Sequence, residues 1–207
     1  MWFLTNNKVE FEGRTFVQVK RELLNGKIEF GGYVEEKLPR IRGDFWIGKD
    51  SYLFGDCEIN GGARIRKNCI IKNSKICNGV IVGDNCIIID STIEGFSNYS
   101  MALDKGCIIN KQQFQSVGKL QSDFFKDGKI QMDTYNNNVL LMTDNYCRVN
   151  CLTMTYEIAW EYLHNEEKWN FIKSQHVDTP QVYYPDTKKW LYYWCEKQLK
   201  RKEGRAK

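Results

Sequence analysis

The chain has 207 residues, a formal net charge of +4, a hydrophobic fraction of 42% and an aromatic fraction of 14%. That length supports one ordinary domain or a compact pair, and the composition excludes a disordered chain. No run approaches the roughly 18 consecutive apolar residues of a membrane span, and the start, MWFLTNNKVEFEGR, lacks a basic n-region and a cleavage site, so the expectation is a cytoplasmic protein with no membrane contact.

The N-terminal stretch NKVEFEGRTFVQVK alternates on both sides of a turn at Glu12 to Arg14, which predicts a β-hairpin able to cap a sheet end. Gly31 and Gly32 then permit a tight backbone path, and Pro39 breaks any helix. From Ile47 the sequence repeats itself. IRKNCIIKNSKICNG, starting at Ile65, overlays VGDNCIIIDSTIEGF, starting at Val82, at a shift of 17. Extended both ways, the pattern places aliphatic residues at Ile47, Leu53, Ile59, Ile65, Ile71, Ile76, Val82, Ile88 and Ile93, in steps of five or six.

A chain that sends an aliphatic side chain inward every six residues, with a small residue four later to turn a corner, builds a three-sided coil of about 18 residues. Ser51, Cys57, Ala63, Cys69, Ser74, Val80, Cys86, Ser91 and Ser97 are the corner residues. The predicted fold is therefore mainly β: a short left-handed β-helix, or hexapeptide-repeat solenoid, of three coils and a distorted fourth around Lys105 to Ile109. The expected organisation is a β-hairpin and cap over 1–46, the solenoid over 47–110, additional strands over 111–152, and a helical region with a basic tail over 153–207.

Residues flanking each inward aliphatic point outward and stack one coil apart. The first face carries Trp46, Arg64 and Ile81 beside Gly48, Arg66 and Gly83; the third carries Glu58, Lys75 and Thr92 beside Asn60, Cys77 and Glu94. On the second face the outer residues Tyr52, Phe54, Ile70, Ile87 and Ile89 make an apolar stripe interrupted by Lys72, and these five are the candidate interface. Either the rest of the chain covers the stripe or another subunit does, for instance in a homotrimer.

Gly31-Gly32-Tyr33-Val34-Glu35, Leu38, Gly43 and Trp46-Ile47 stand in that order before the first hexads, and CRVNCLTMTYEIAW follows from Cys147 to Trp160. With these residues the chain resembles uncharacterised phage and prophage proteins in which a GGYIE-type element precedes a hexapeptide solenoid. Val149 and Asn150 stand where those proteins have Ile-Gly. The resemblance covers about residues 5 to 160 and implies the fold and a mobile-element origin, with no established activity.

Beyond the repeat, VGKLQSDFFKDGKIQMD and NNNVLLMTDNYCRVN read as further strands joined at Asp127-Gly128. Thr155 to Asn165 has helical spacing, and a second helix is expected from near Asp186, with Trp190, Leu191, Tyr193, Trp194 and Leu199 on it. From Lys188 to Lys207, eight Lys or Arg and two Glu give +6, leaving −2 for the remainder. This basic tail suits either nucleic acid or a solvated helix end.

Eight cysteines raise the question of disulfides, but Cys57, Cys69 and Cys86 occupy corner positions and read as reduced apolar fillers. Cys147 and Cys151 lack a second ligand pair, so no metal and no cofactor are expected. Solenoid acyltransferases use a histidine as general base and solenoid carbonic anhydrases hold zinc with three; here His164 and His176 both lie outside the repeat, so no catalytic residue is assigned. Two classes survive. One is a non-enzymatic interaction protein of phage origin with an anti-defence role, binding a host protein or sequestering a small nucleotide. The other is an acyltransferase using the loop from Ser97 to Leu103 and a C-terminal histidine. For ligand binding the candidate residues are Tyr33, Trp46, Arg64, Arg66 and Lys72, aromatic planes beside cations that suit phosphate-bearing ligands.

Overall fold

Small buried corners and aliphatic inner positions generate the architecture. The computed structural model describes residues 2–37, 40–41, 43–95, 101–116, 118–135, 138–149, 152–174 and 185–205. It divides into two units, Met1–Lys129 and Ile130–Lys207.

The first unit is a three-sided β-solenoid of parallel rungs. Face one stacks Trp46–Ile47, Arg64–Ile65, Val80–Val82, Met101–Leu103 and Gly118–Leu120. Face three stacks Arg40–Ile41, Glu58–Ile59, Lys75–Cys77, Thr92–Gly95 and Gln113–Ser116. Face two is a seven-stranded sheet. It begins with β1 (Trp2–Phe11), β2 (Arg14–Glu22) and β3 (Ile28–Glu35) and continues through Tyr52–Phe54, Ile70–Lys72, Ile87–Ile89 and Ile108–Asn110. The register aligns Leu53 with Ile71, Ile71 with Ile88 and Ile88 with Ile109, and these four side chains are at most 1% exposed. Ile65 with Val82, and Ile76 with Ile93, line the same interior from the other two faces.

The corners turn as the repeat requires. Ser51, Cys57, Ala63, Cys69, Ser74, Val80, Cys86 and Ser91 are all buried; Ser97 lies outside the described residues. The residue before many of these takes a left-handed conformation, which Asn and Asp tolerate better than other side chains: Asp50, Asn68, Asn73, Asn85 and Asp90 all have positive φ. Hydroxyls bind one level to the next. Ser74 Oγ accepts from Ser91 N at 3.1 Å, and Ser91 Oγ accepts from Gln112 N at 3.1 Å.

The rungs run past 47–110 at both ends. Val34 of β3 aligns with Leu53, and Ile41 with Ile59, so a first level forms before Ile47. Phe114 and Leu120 close a last level under Ile93 and Leu103. The stretch from Ser122, expected as strand, is instead a 3₁₀ turn, Ser122–Phe125. It buries Phe124 completely, and with Phe125 at 5.8 Å from the Phe114 ring it seals that end of the core.

At the opposite end the β1–β2 hairpin, with Glu12 and Gly13 both at positive φ in its turn, extends face two. The double glycine is what lets β3 lie close to the first complete coil. A Cβ on Gly32 would sit 2.5 Å from the carbonyl oxygens of both Gly48 and Ser51, and one on Gly31 would run into the Ile47 carbonyl.

The second unit places four antiparallel strands, Gln131–Tyr135, Asn138–Met142, Tyr146–Val149 and Leu152–Thr155, in sequence order. Three helices follow: α1 (Tyr156–His164), α2 (Glu166–Ser174) and α3 (Pro185–Arg205). Thr155 caps α1 by accepting from Ile158 N. The core joins Leu140, Cys147, Tyr156, Leu163, Trp169, Leu191 and Cys195, and the Tyr156 hydroxyl donates to Thr143 O at 2.9 Å. Among the described residues no helix is long and apolar enough to cross a membrane.

Candidate functional site

The outer surface of face two concentrates the unusual side chains of the solenoid. Because neighbouring rungs are in register, its outward residues form two columns. One runs Tyr33, Tyr52, Ile70, Ile87, Ile108; the other runs Phe54, Lys72, Ile89, Asn110. The hairpin covers the first part. Phe11 stacks on Tyr52 at 4.4 Å, Phe16 meets Tyr52 and Phe54 edge-on at 5.4 and 5.7 Å, and Tyr33 stacks on Tyr52 at 5.2 Å. Phe54 is thereby buried to 1% exposure. The cover then thins. Ile70, Ile87 and Ile89 are half-buried, and Ile108 is 63% exposed. The candidate interface residues thus share one face, with Phe54 already enclosed within the unit; the hairpin's Phe11 and Phe16, which do the enclosing, have no counterpart in the repeat and so carried no signal there.

The five candidate ligand residues do not converge. Trp46 and Arg64 are neighbours on face one, whereas Tyr33 and Lys72 belong to different columns of face two. Most have partners. The Arg21 guanidinium lies 4.0 Å from the Trp46 ring centroid, and Trp46 is only 9% exposed. Arg64 pairs with Asp44 at 2.6 Å and donates to the Gly62 and Ala63 carbonyls. Lys72 Nζ lies 5.3 Å from the Phe54 ring centroid. Arg66 is exposed.

Each residue of Gly31-Gly32-Tyr33-Val34-Glu35 has a structural task. The glycines allow close approach, Tyr33 stacks, Val34 is fully buried above Leu53, and Glu35 accepts from Gly55 N at 2.7 Å and from Arg14 at 2.8 Å. The Gly55 hydrogen bond, aided by Arg14, holds the Glu35 carboxyl below its ordinary pKa.

The described thiols are buried in both units. Cys69, Cys86 and Cys107 follow one another at one corner, each fully buried. The Cys107 thiol beside Cys86, together with burial, pushes Cys86 up to about 12, and Cys86 in turn raises Cys69. Cys147 is raised by the adjacent Cys195 thiol and by burial. Cys69, Cys86 and Cys147 therefore stay protonated near neutral pH and are poor nucleophiles. No group of three or more His, Cys, Asp or Glu suited to a metal occurs among the described residues; Cys151 lies outside them.

For the transferase reading, His164 sits at the end of α1, its Nδ1 2.8 Å from the Trp160 carbonyl oxygen. A carbonyl only accepts, so Nδ1 carries the hydrogen in the neutral ring and Nε2 is the free lone pair. The ring lies between Trp160, at 4.3 Å, and Tyr192, at 5.2 Å. His176 and residues 97–100 of the loop lie outside the described residues.

No family model matches the chain. An alignment 95 residues long, covering 42% of the chain, is 30% identical to the Bifunctional protein GlmU of Clostridium botulinum (strain ATCC 19397 / Type A). The match spans 20% of that relative's length. With the coil geometry, this likeness fits a solenoid of the hexapeptide-repeat kind.

Proposed function

We propose that the protein is a non-enzymatic binding module, and that a protein partner docks on the outer columns of face two beyond the hairpin. The observation that carries this reading is the outward run Ile70, Ile87, Ile108, flanked by Ile89, on a regular parallel sheet, ending in an isoleucine 63% exposed. A solvated sheet face is normally polar, and contiguous apolar surface of this kind marks an interaction site. The resemblance to phage and prophage solenoids suggests a host protein as the partner and an anti-defence role.

Affinity capture from bacterial lysate with wild type, Ile87→Asp and Arg66→Glu tests the assignment. Ile88 and Ile109 fill the core, so an outward substitution at position 87 leaves the fold intact. A partner held by wild type and Arg66→Glu but lost by Ile87→Asp supports face two. Loss with Arg66→Glu alone moves binding to face one and to phosphate-bearing ligands. Equal capture by all three overturns the proposal.

The second reading is a hexapeptide-type acyltransferase built on the solenoid. It requires a base from outside the repeat, and the lone pair at His164 Nε2 is the described candidate. Thermal stabilisation by acetyl-CoA, together with turnover lost in His164→Ala, would establish it.

A further inference from the structure

The far end of the N-terminal sheet holds a knob and a hole side by side. In the β2–β3 connection Gly26 N donates to Leu23 O at 2.9 Å and Leu23 N to Lys27 O at 2.9 Å, a short hairpin loop completed by Gly26 at φ 74°. Leu24 stands at the first central position of that turn, where almost any residue fits. Its relative exposure is 111%, the most of any large apolar side chain described. Nothing in the turn requires leucine there.

Beside it, a cavity of about 300 Å³ is lined by Phe3 and Leu4 from β1, Lys20, Arg21 and Glu22 from β2, and Ile28 from β3. Phe3, Leu4, Ile28 and the adjacent Phe30 are 43%, 39%, 49% and 53% exposed. The register sets Phe3, Lys20 and Phe30 in one row across the sheet and, two residues further along β2, Glu22 beside Ile28. Half of the ten strongly exposed large apolar residues described therefore lie on this one hairpin end. β1 is also the terminal strand of its sheet, with no described strand beyond it.

We infer that this end of the molecule is a self-association surface whose occupant is a second copy of the chain, with Leu24 of each copy seated in the Phe3–Leu4–Ile28 cavity of the other. Knob and hole belong to the same hairpin, so one two-fold rotation satisfies both at once, as an isologous contact demands. The charges agree. Arg21 is held by Glu29 at 2.7 Å, leaving Lys20 and Glu22 as the cation and anion on either side of it. A two-fold axis near Arg21 sets Lys20 of one copy against Glu22 of the other, twice. The contact is small, which fits a reversible dimer rather than an obligate one. It is distinct from the face-two reading: the two surfaces use different residues.

Sedimentation velocity across a concentration series tests it with the full chain. Wild type should shift from monomer to dimer as concentration rises. Leu24→Asp, on a fully exposed turn and so without cost to the fold, should weaken association about tenfold or more, because it removes two buried leucines per dimer. Lys20→Glu and Glu22→Lys should each weaken it alone, since each sets like charges together; the double variant, or an equimolar mixture of the two singles, should restore it. A wild type that remains monomeric to millimolar concentration, or a dimer indifferent to Leu24→Asp, overturns the inference. An oligomer dissolved by Ile87→Asp but not by Leu24→Asp would place self-association on face two instead.

Discussion

The two units solve the problem of a core in opposite ways. Within the solenoid, stability is spread over similar levels: from Ile47 to Ile93 an aliphatic residue at each inner position and a buried, mostly small one at each corner, with backbone hydrogen bonds joining successive rungs. In the second unit it is concentrated in a few large side chains, Tyr156, Leu163 and Trp169 among them, each packed once. A repetitive core is exacting about backbone path and forgiving about any one side chain, whereas the second unit reverses the two sensitivities.

The largest test of that contrast is Trp169→Ala, at a site 4% exposed, which should cost the second unit about 4 kcal/mol in urea unfolding. An equivalent loss from Ile71→Val would contradict the distributed core, because deletion of one methylene there should cost only about 1 kcal/mol. Next comes backbone path. Gly32→Ala forces a Cβ against two carbonyl oxygens that belong to the coil itself, and should lower solenoid stability by about 2 to 3 kcal/mol. Gly26→Ala meets no atom within 4 Å and strains only its own φ, about 1 kcal/mol. If the two glycines behave alike, close packing is not what Gly32 provides.

A smaller effect is expected at the left-handed corners. Asn68, at φ 57°, also donates to Asn85 Oδ1 at 3.1 Å. Asn68→Ala should lose about 1 kcal/mol, and Asn68→Gly less, since glycine keeps the conformation and forfeits only the side-chain bond. The smallest concerns Glu35. Its folded pKa is depressed, so its contribution is fully present above the ordinary carboxylate value of 4.5 and declines as pH falls through the lower folded value. The stability difference between wild type and Glu35→Gln should therefore narrow in acid below about pH 4.5 and stay constant from there to neutrality. A difference that grows in acid would reverse the sign of the Gly55 and Arg14 interactions.

What the sequence disclosed follows the same division. From Ile47 to Ile93 the five- and six-residue steps named the inner columns and corners, because repetition makes each level evidence for the next. The first level carries no such signal, since its face-two rung, Val34, is embedded in a long antiparallel strand whose alternation masks the coil period. The last level breaks the pattern as well: Gln112 takes a corner and Phe114 an inner position, departures that Phe124 and Gly128 accommodate by sealing that end. In the second unit α1 and α3, the latter from near Asp186 through Leu199, have helical spacing strong enough to read, whereas α2 does not. The pairing of Phe11 with Tyr52, or of Arg21 with Trp46, depends on a hairpin's curl in space and leaves no trace in spacing.

The left-handed asparagines and hydroxyl ladder also make the solenoid modular in height. Asn68 and Asn85 lie 17 residues apart in the chain yet touch, so excising one such span joins each strand to a stump of matching character. Whole storeys can be gained or lost while fragments of a storey cannot, and this gives insertion and deletion a natural quantum in proteins built this way.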